Sequence, residues 1–144
     1  MIWMMLRKDI QYSNKNYWVK ERINIMKRIE DVLDKLSVKY DCHKYNNSDS
    51  WYGMVEFWTD TLGQDISVEF NFDGSAEDFV KQFCEHAENY DVDDEVELFI
   101  GMRGKPGVPN TVRELLNDCQ EAKDTLINIA DELKSAILGE EINT

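Results

Sequence analysis

Apolar side chains recur along this chain at two spacings, about every 3.6 residues in some stretches and every second residue in others, and the switches between them lay out its elements. From Tyr17 to Ser37 the positions Trp18, Ile25, Met26, Ile29, Val32, Leu33 and Leu36 step by threes and fours, which predicts a helix with one buried face and a basic outer side. Lys39–Tyr45 is the weakest strand candidate, and the polar run Asn46–Ser50 breaks the pattern after it. Trp51–Thr59 is rich in strand-favouring aromatics. Gln64–Asp73 alternates Ile66, Val68, Phe70 and Phe72 against Ser67, Glu69, Asn71 and Asp73, so one face is core and the other wet. Between them Asp60-Thr61-Leu62-Gly63 has the makings of a hairpin loop, which predicts an antiparallel pair.

Ser75-Ala76-Glu77-Asp78 is close to a capping box and predicts the start of a second helix, whose core face is Phe79, Val80, Phe83, Cys84, Ala87 and Tyr90. Asp91–Asp94 ends that helix. In Glu95–Met102, Val96, Leu98, Ile100 and Met102 alternate with Glu95, Glu97 and Phe99, so a further strand with an acidic outer face is expected. Arg103–Pro109 reads as a loop, Asn110 or Thr111 as a cap, and Val112 to Leu138 as a long helix stopped by Gly139. The expected order is α-β-β-β-α-β-α. This is an α+β fold with an antiparallel sheet of three to four strands covered by helices and a long C-terminal helix. Residues 1–16 are expected to form a lead-in, 17–138 one domain, and 139–144 a tail. With helices on one side only, Trp51, Phe57 and Phe99 are expected on an open sheet face beside Glu56, Glu69 and Glu97.

Length and composition are consistent with that layout. A chain of 144 residues with 42% apolar and 11% aromatic residues can bury a core and is not of disordered composition. The charge changes the picture more. Residues 1–50 carry ten bases and seven acids, whereas residues 51–144 carry six bases and 22 acids, within a formal net charge of −13. Between Glu56 and Glu97, 14 acids face one base, Lys81. Such a surface repels nucleic acid and anionic lipid, so direct nucleic-acid binding and membrane association are not expected. Cys42, Cys84 and Cys119 are odd in number and form no CxxC pair, which suits free core thiols in a reducing cytoplasm. The apolar run Met1–Leu6 is short and is followed, not preceded, by Arg7 and Lys8, so neither a signal peptide nor a spanning helix is expected.

Several motifs invite chemistry, and each has a plainer reading. Asp91–Glu97 is dense in carboxylates but lacks the EF-hand order of ligands, so a polar turn is expected rather than a calcium site. Cys42-His43 and Cys84-Glu85-His86 could supply zinc ligands or a Cys–His nucleophile. Neighbours on a strand face opposite ways, however, and i,i+2 residues on a helix diverge. Arg103–Pro109 precedes a helix N-terminus as anion sites do, yet lacks the P-loop order. The apolar stripe over residues 112–137 predicts packing against the first helix and the sheet, with a homodimer seam as the minority reading. No cofactor and no catalytic residue is predicted, and the chain is expected not to be an enzyme.

The block GSAEDFVKQFCEHAENYDVDDEVELFIGMRGKPGVPNTVRELLNDCQEAKDTL, Gly74–Leu126, resembles small acidic proteins of bacterial genomes and their mobile elements. By analogy of class, that resemblance brings in anti-CRISPR and other anti-defence inhibitors, some of which imitate DNA in charge. The expectation is an acidic inhibitor that binds a basic protein, such as a CRISPR effector nuclease, and blocks its nucleic-acid groove. Glu69, Asp73, Glu77, Asp78, Glu85, Glu88, Asp91, Asp93, Asp94, Glu95 and Glu97 would make the contact. The alternative is a non-enzymatic interaction or structural module of a mobile element, acidic only for solubility.

Overall fold

The computed structural model describes residues 26–100 and 111–139. The expectations for the N-terminal lead-in, the first half of the first helix, the Arg103–Pro109 loop and the tail after Gly139 lie outside the described residues. Helix α1 (residues 26–35) buries Ile29 and Leu33, one helical turn apart, with Met26, Val32 and Leu36 packed around them. It closes where Ser37 takes a left-handed conformation, φ 58°, and the Val38 amide donates back to the Leu33 carbonyl.

Three strands follow, β1 (Lys39–Lys44), β2 (Trp51–Trp58) and β3 (Asp65–Phe72), in the order β1-β2-β3 and antiparallel throughout. The weakest strand candidate is therefore a strand, paired along its whole length with β2. Val55 opposes Val68 and Gly53 opposes Phe70, so the inner faces of β2 and β3 meet in phase. Gly53 is required there. A Cβ at this position would lie 2.5 Å from the Phe70 ring, which covers the strand backbone.

Helix α2 (Ala76–Asn89) starts as the sequence predicts, with the Ser75 hydroxyl accepting from the Asp78 amide at 3.2 Å. Its Phe79 ring packs edge-on against Phe70 and Phe72, at centroid distances of 5.0 and 5.2 Å, and fastens the helix to the inner sheet face. The long helix α4 (Val112–Leu133) continues into a π-helical turn, Lys134–Leu138, that ends at Gly139 in the left-handed region. Leu126, Ile129, Ala130 and Leu133 join Ile29, Leu33, Val55 and Phe83 in one core. The α+β fold is as expected: a three-stranded antiparallel sheet under helices, with a long C-terminal helix.

One element is corrected. The segment expected as a strand at Glu95–Met102 is helical where it is described, as α3 (Val92–Ile100), and the sheet has three strands among the described residues. The Asp91 carboxylate accepts from the Asp94 amide at 3.1 Å, and Asp93, Asp94 and Glu95 occupy the first turn, where the helix dipole favours acids. Val92, Val96 and Phe99, spaced by four and three, pack against Leu115 and Cys119 of α4 in a second small core. Leu98, in step with Val96 in an alternating reading, is 63% exposed because two residues along a helix is the opposite side. An alternating run of apolar residues over nine positions contains an i,i+4 pair as well, and the cap decides between the two periods.

Candidate protein-binding surfaces

Strand register determines which side chains reach the uncovered side of the sheet. Tyr40 and Cys42 of β1, Trp51, Val55 and Phe57 of β2, and Val68, Phe70 and Phe72 of β3 face the helices. The opposite side is built of cross-strand rows: His43–Tyr52–Asn71, Asp41–Met54–Glu69, Lys39–Glu56–Ser67, and Trp58–Asp65. Trp51 and Phe57 thus do not lie on the open face, and Phe99 belongs to α3. The aromatics on the open side are their neighbours, half-buried Tyr52 and exposed Trp58, together with exposed Tyr45. Both faces of β2 are aromatic, so its composition alone does not give the phase. The hairpin register does, by placing Val55 opposite Val68.

The open face is organised by hydrogen bonds and ring contacts. The Tyr52 hydroxyl donates to Glu69 at 2.6 Å and the Tyr45 hydroxyl to Asn71 at 2.9 Å. His43 lies 5.0 Å from the Tyr52 ring and 3.4 Å from the Asp41 carboxylate. The bond to Glu69 pushes the Tyr52 hydroxyl up to about 12, since losing its proton would set two anions together. Trp58 is 64% exposed, and the Lys39 ammonium sits 5.3 Å from its ring centroid. Glu56 is raised above the usual carboxylate range, first by a hydrogen bond with Asp65, then by burial and the Asp65 charge, with Lys39 pulling the other way. A groove of about 320 Å³ opens beside this pair, bounded by Ser37, Lys39, Glu56, Trp58, Asp60 and Glu121.

The acidic residues singled out from sequence are divided by the fold. Glu69 lies on the open sheet face, across the sheet from α2. Asp73 and Asp78 surround the start of α2: Asp73 accepts from the Ser75 amide and hydroxyl, and Asp78 from the Asp73 amide. Glu77, Glu85 and Glu88 are exposed on α2, and Glu88 meets the Lys134 ammonium at 3.6 Å. Asp91 caps α3, Asp93, Asp94 and Glu97 are exposed on it, and Glu95 is half-buried. Ten of the eleven are therefore carried by α2, α3 and the turns that start them, and one is not.

Two further carboxylates, missed from sequence, are structural. Asp118, 2% exposed, accepts from the Leu62 amide at 3.0 Å. Glu121 accepts from the Asp60 amide, from the Thr61 amide at 2.9 Å and from the Thr61 hydroxyl at 2.6 Å. Burial pushes Glu121 up, but those three donors outweigh it and hold the group below its ordinary value. A visible signal was Asp118 itself, an acid in the phase of Leu115 and Ala122 on an otherwise apolar stripe.

The cysteine and histidine motifs stay apart. Cys42 faces the core and His43 the open side, while Cys84 is buried against the Ala130 carbonyl and His86 is exposed. Burial pushes the Cys42 thiol up to about 12 and raises Cys119 as well, so both hold their protons at neutral pH. Among the described residues no three His, Cys, Asp or Glu side chains converge as metal ligands, and no helix is long and apolar enough to cross a membrane. Comparison of the chain with protein-family models, with curated proteins and with solved structures finds no match.

Proposed function

We propose that this chain is a non-catalytic, cytoplasmic inhibitor that binds a basic protein and blocks its nucleic-acid groove, in the manner of anti-CRISPR proteins. The observation that carries the reading is the outer side of α2 and α3. Glu77, Glu85, Glu88, Asp91, Asp93, Asp94 and Glu97 are all exposed there, and Lys81 is the one Lys or Arg within the two helices. Carboxylates at that density compete with phosphate for the Lys and Arg of a nucleic-acid channel, and association guided by them is steered by charge and screened by salt.

The test is capture from host lysate by the tagged chain at 50 and 500 mM salt, followed by DNA competition on the purified captured protein. The expected result is a nucleic-acid-binding protein held at low salt only, displaced by DNA, and not held by the triple variant D93K/D94K/E97K. A partner that binds the triple variant equally, or binds DNA and this chain together, overturns the groove-blocking reading.

A second reading rests on the open sheet face. With Trp58 and Tyr45 exposed and Tyr52 half-buried there, an interaction module acidic only for solubility would use that face instead. Loss of the captured partner on Trp58→Ala, with retention by the α3 variant, selects it.

A further inference from the structure

The open sheet face combines an excess of carboxylates with aromatic surface. Its rows carry four carboxylates, Asp41, Glu56, Asp65 and Glu69, against one lysine, Lys39, and the His43 imidazole beside Asp41. They also carry the exposed ring of Trp58 and the half-buried ring of Tyr52. The chain already seats one cation on this face, the Lys39 ammonium 5.3 Å from the Trp58 ring centroid. The buried residues of β2 and β3 and the half-buried Tyr40 and Cys42 of β1 point the other way, toward the helices.

We propose that this face docks an arginine-bearing segment of a protein partner, with a guanidinium stacked on Trp58 and paired with Glu56 and Asp65 at the mouth of the adjoining groove. Arginine fits better than lysine. A planar guanidinium presents its flat side to an indole and its edge to two carboxylates at once, whereas an ammonium is a strongly hydrated point charge. Glu56 and Asp65 are diagonal neighbours on adjacent strands, Glu56 opposite Ser67 and Asp65 opposite Trp58, so both carboxylates flank the Trp58 ring. The groups facing Glu56 are Lys39 from β1, Asp65, Ser67 and Glu69 from β3, and Trp58 on its own strand. The inference is independent of the α2–α3 reading, because it uses none of the carboxylates on those two helices.

The test is calorimetric titration of the full chain, at 50 mM salt and pH 7, with a blocked nine-residue peptide of alternating Arg and Gly and with its Lys counterpart. The wild-type chain is expected to bind the Arg peptide at least threefold more tightly than the Lys peptide. E56Q/D65N is expected to weaken binding at least tenfold and Trp58→Ala at least threefold. D93N/D94N removes the same charge from α3 and is expected to stay within twofold. The proposal is overturned if the wild type does not bind, if E56Q/D65N and Trp58→Ala bind normally, or if D93N/D94N weakens binding as much as E56Q/D65N. The last outcome would mean unspecific attraction to an acidic molecule. None of these results bears on the α2–α3 reading, which depends on displacement of DNA from a captured partner.

Discussion

Glu56 shows how a side chain's surroundings set the sign of its contribution. Its hydrogen bond to Asp65 raises its pKa, so the folded chain holds that proton more tightly than the unfolded chain does. The resulting stabilisation is present in full below the ordinary value of 4.5 and is lost as pH rises through the raised one. Near neutrality the pair is two adjacent anions moderated by Lys39. Glu56→Gln is therefore expected to raise the melting temperature at pH 7, with the gain shrinking as pH falls below 5, as followed by circular dichroism. A gain that is constant with pH would mean that the Asp65 pairing is not its source. Asp91 makes a parallel point: an acid within an acidic run acts as the cap of α3, and its position before Val92 is what distinguishes it from its neighbours.

At the ends of helices, unpaired backbone groups need partners, and α2 obtains them from another element. The Lys123 ammonium of α4 donates to the carbonyls of Ala87, Glu88 and Tyr90 at 2.6, 3.1 and 2.8 Å, closing the C-terminus of α2. A cation at that end also matches the helix dipole. Lys123→Met keeps the length of the side chain and removes all three bonds. It is expected to cost about 2 kcal/mol, from the ordinary worth of hydrogen bonds to a charged group, measured as a shift of the urea midpoint with unchanged slope. Helix α3 illustrates the opposite dependence. At nine residues it is marginal in isolation, and it persists because Val96 and Phe99 find Leu115 and Cys119.

Sheet and helical layer are joined by more than apolar packing. The turn between β2 and β3 presents backbone amides, and the Asp118 and Glu121 carboxylates of α4 receive them from more than fifty residues away in sequence. Because Glu121 is held below its ordinary value, this clamp contributes in full above about pH 4.5 and is lost as pH falls through the lowered value. Glu121→Ala is expected to cost about 1–2 kcal/mol at pH 7, less at pH 3.5, and to speed hydrogen exchange at Asp60 and Thr61 before the sheet interior exchanges. Equal loss at both pH values would show that packing, not charge, holds the turn.

Local patterning was enough for much of this architecture. The alternation of Ile66 to Phe72, the Asp60–Gly63 turn, the Ser75 and Thr111 caps and the Gly139 stop depend on neighbours in sequence, and each is found where its residues predict it. The acid surplus is likewise a property of composition. Three features required the folded chain. Val92 and Val96, four apart, fit both a strand and a helix period, and the Asp91 cap together with the surface that α4 supplies chooses between them. Trp51, Tyr52, Phe57 and Trp58 are apolar on both sides of β2, and only the pairing with β3 selects which two face water. Glu121 and Lys123 look like ordinary surface charges, and Asp118 only like an acid out of place on an apolar stripe, until distant amides and carbonyls come within reach. Sequence periodicity specifies which residues of an element can share a face. What covers that face is set by contacts between segments far apart in the chain, and so the carboxylates beside Trp58 came together only on folding.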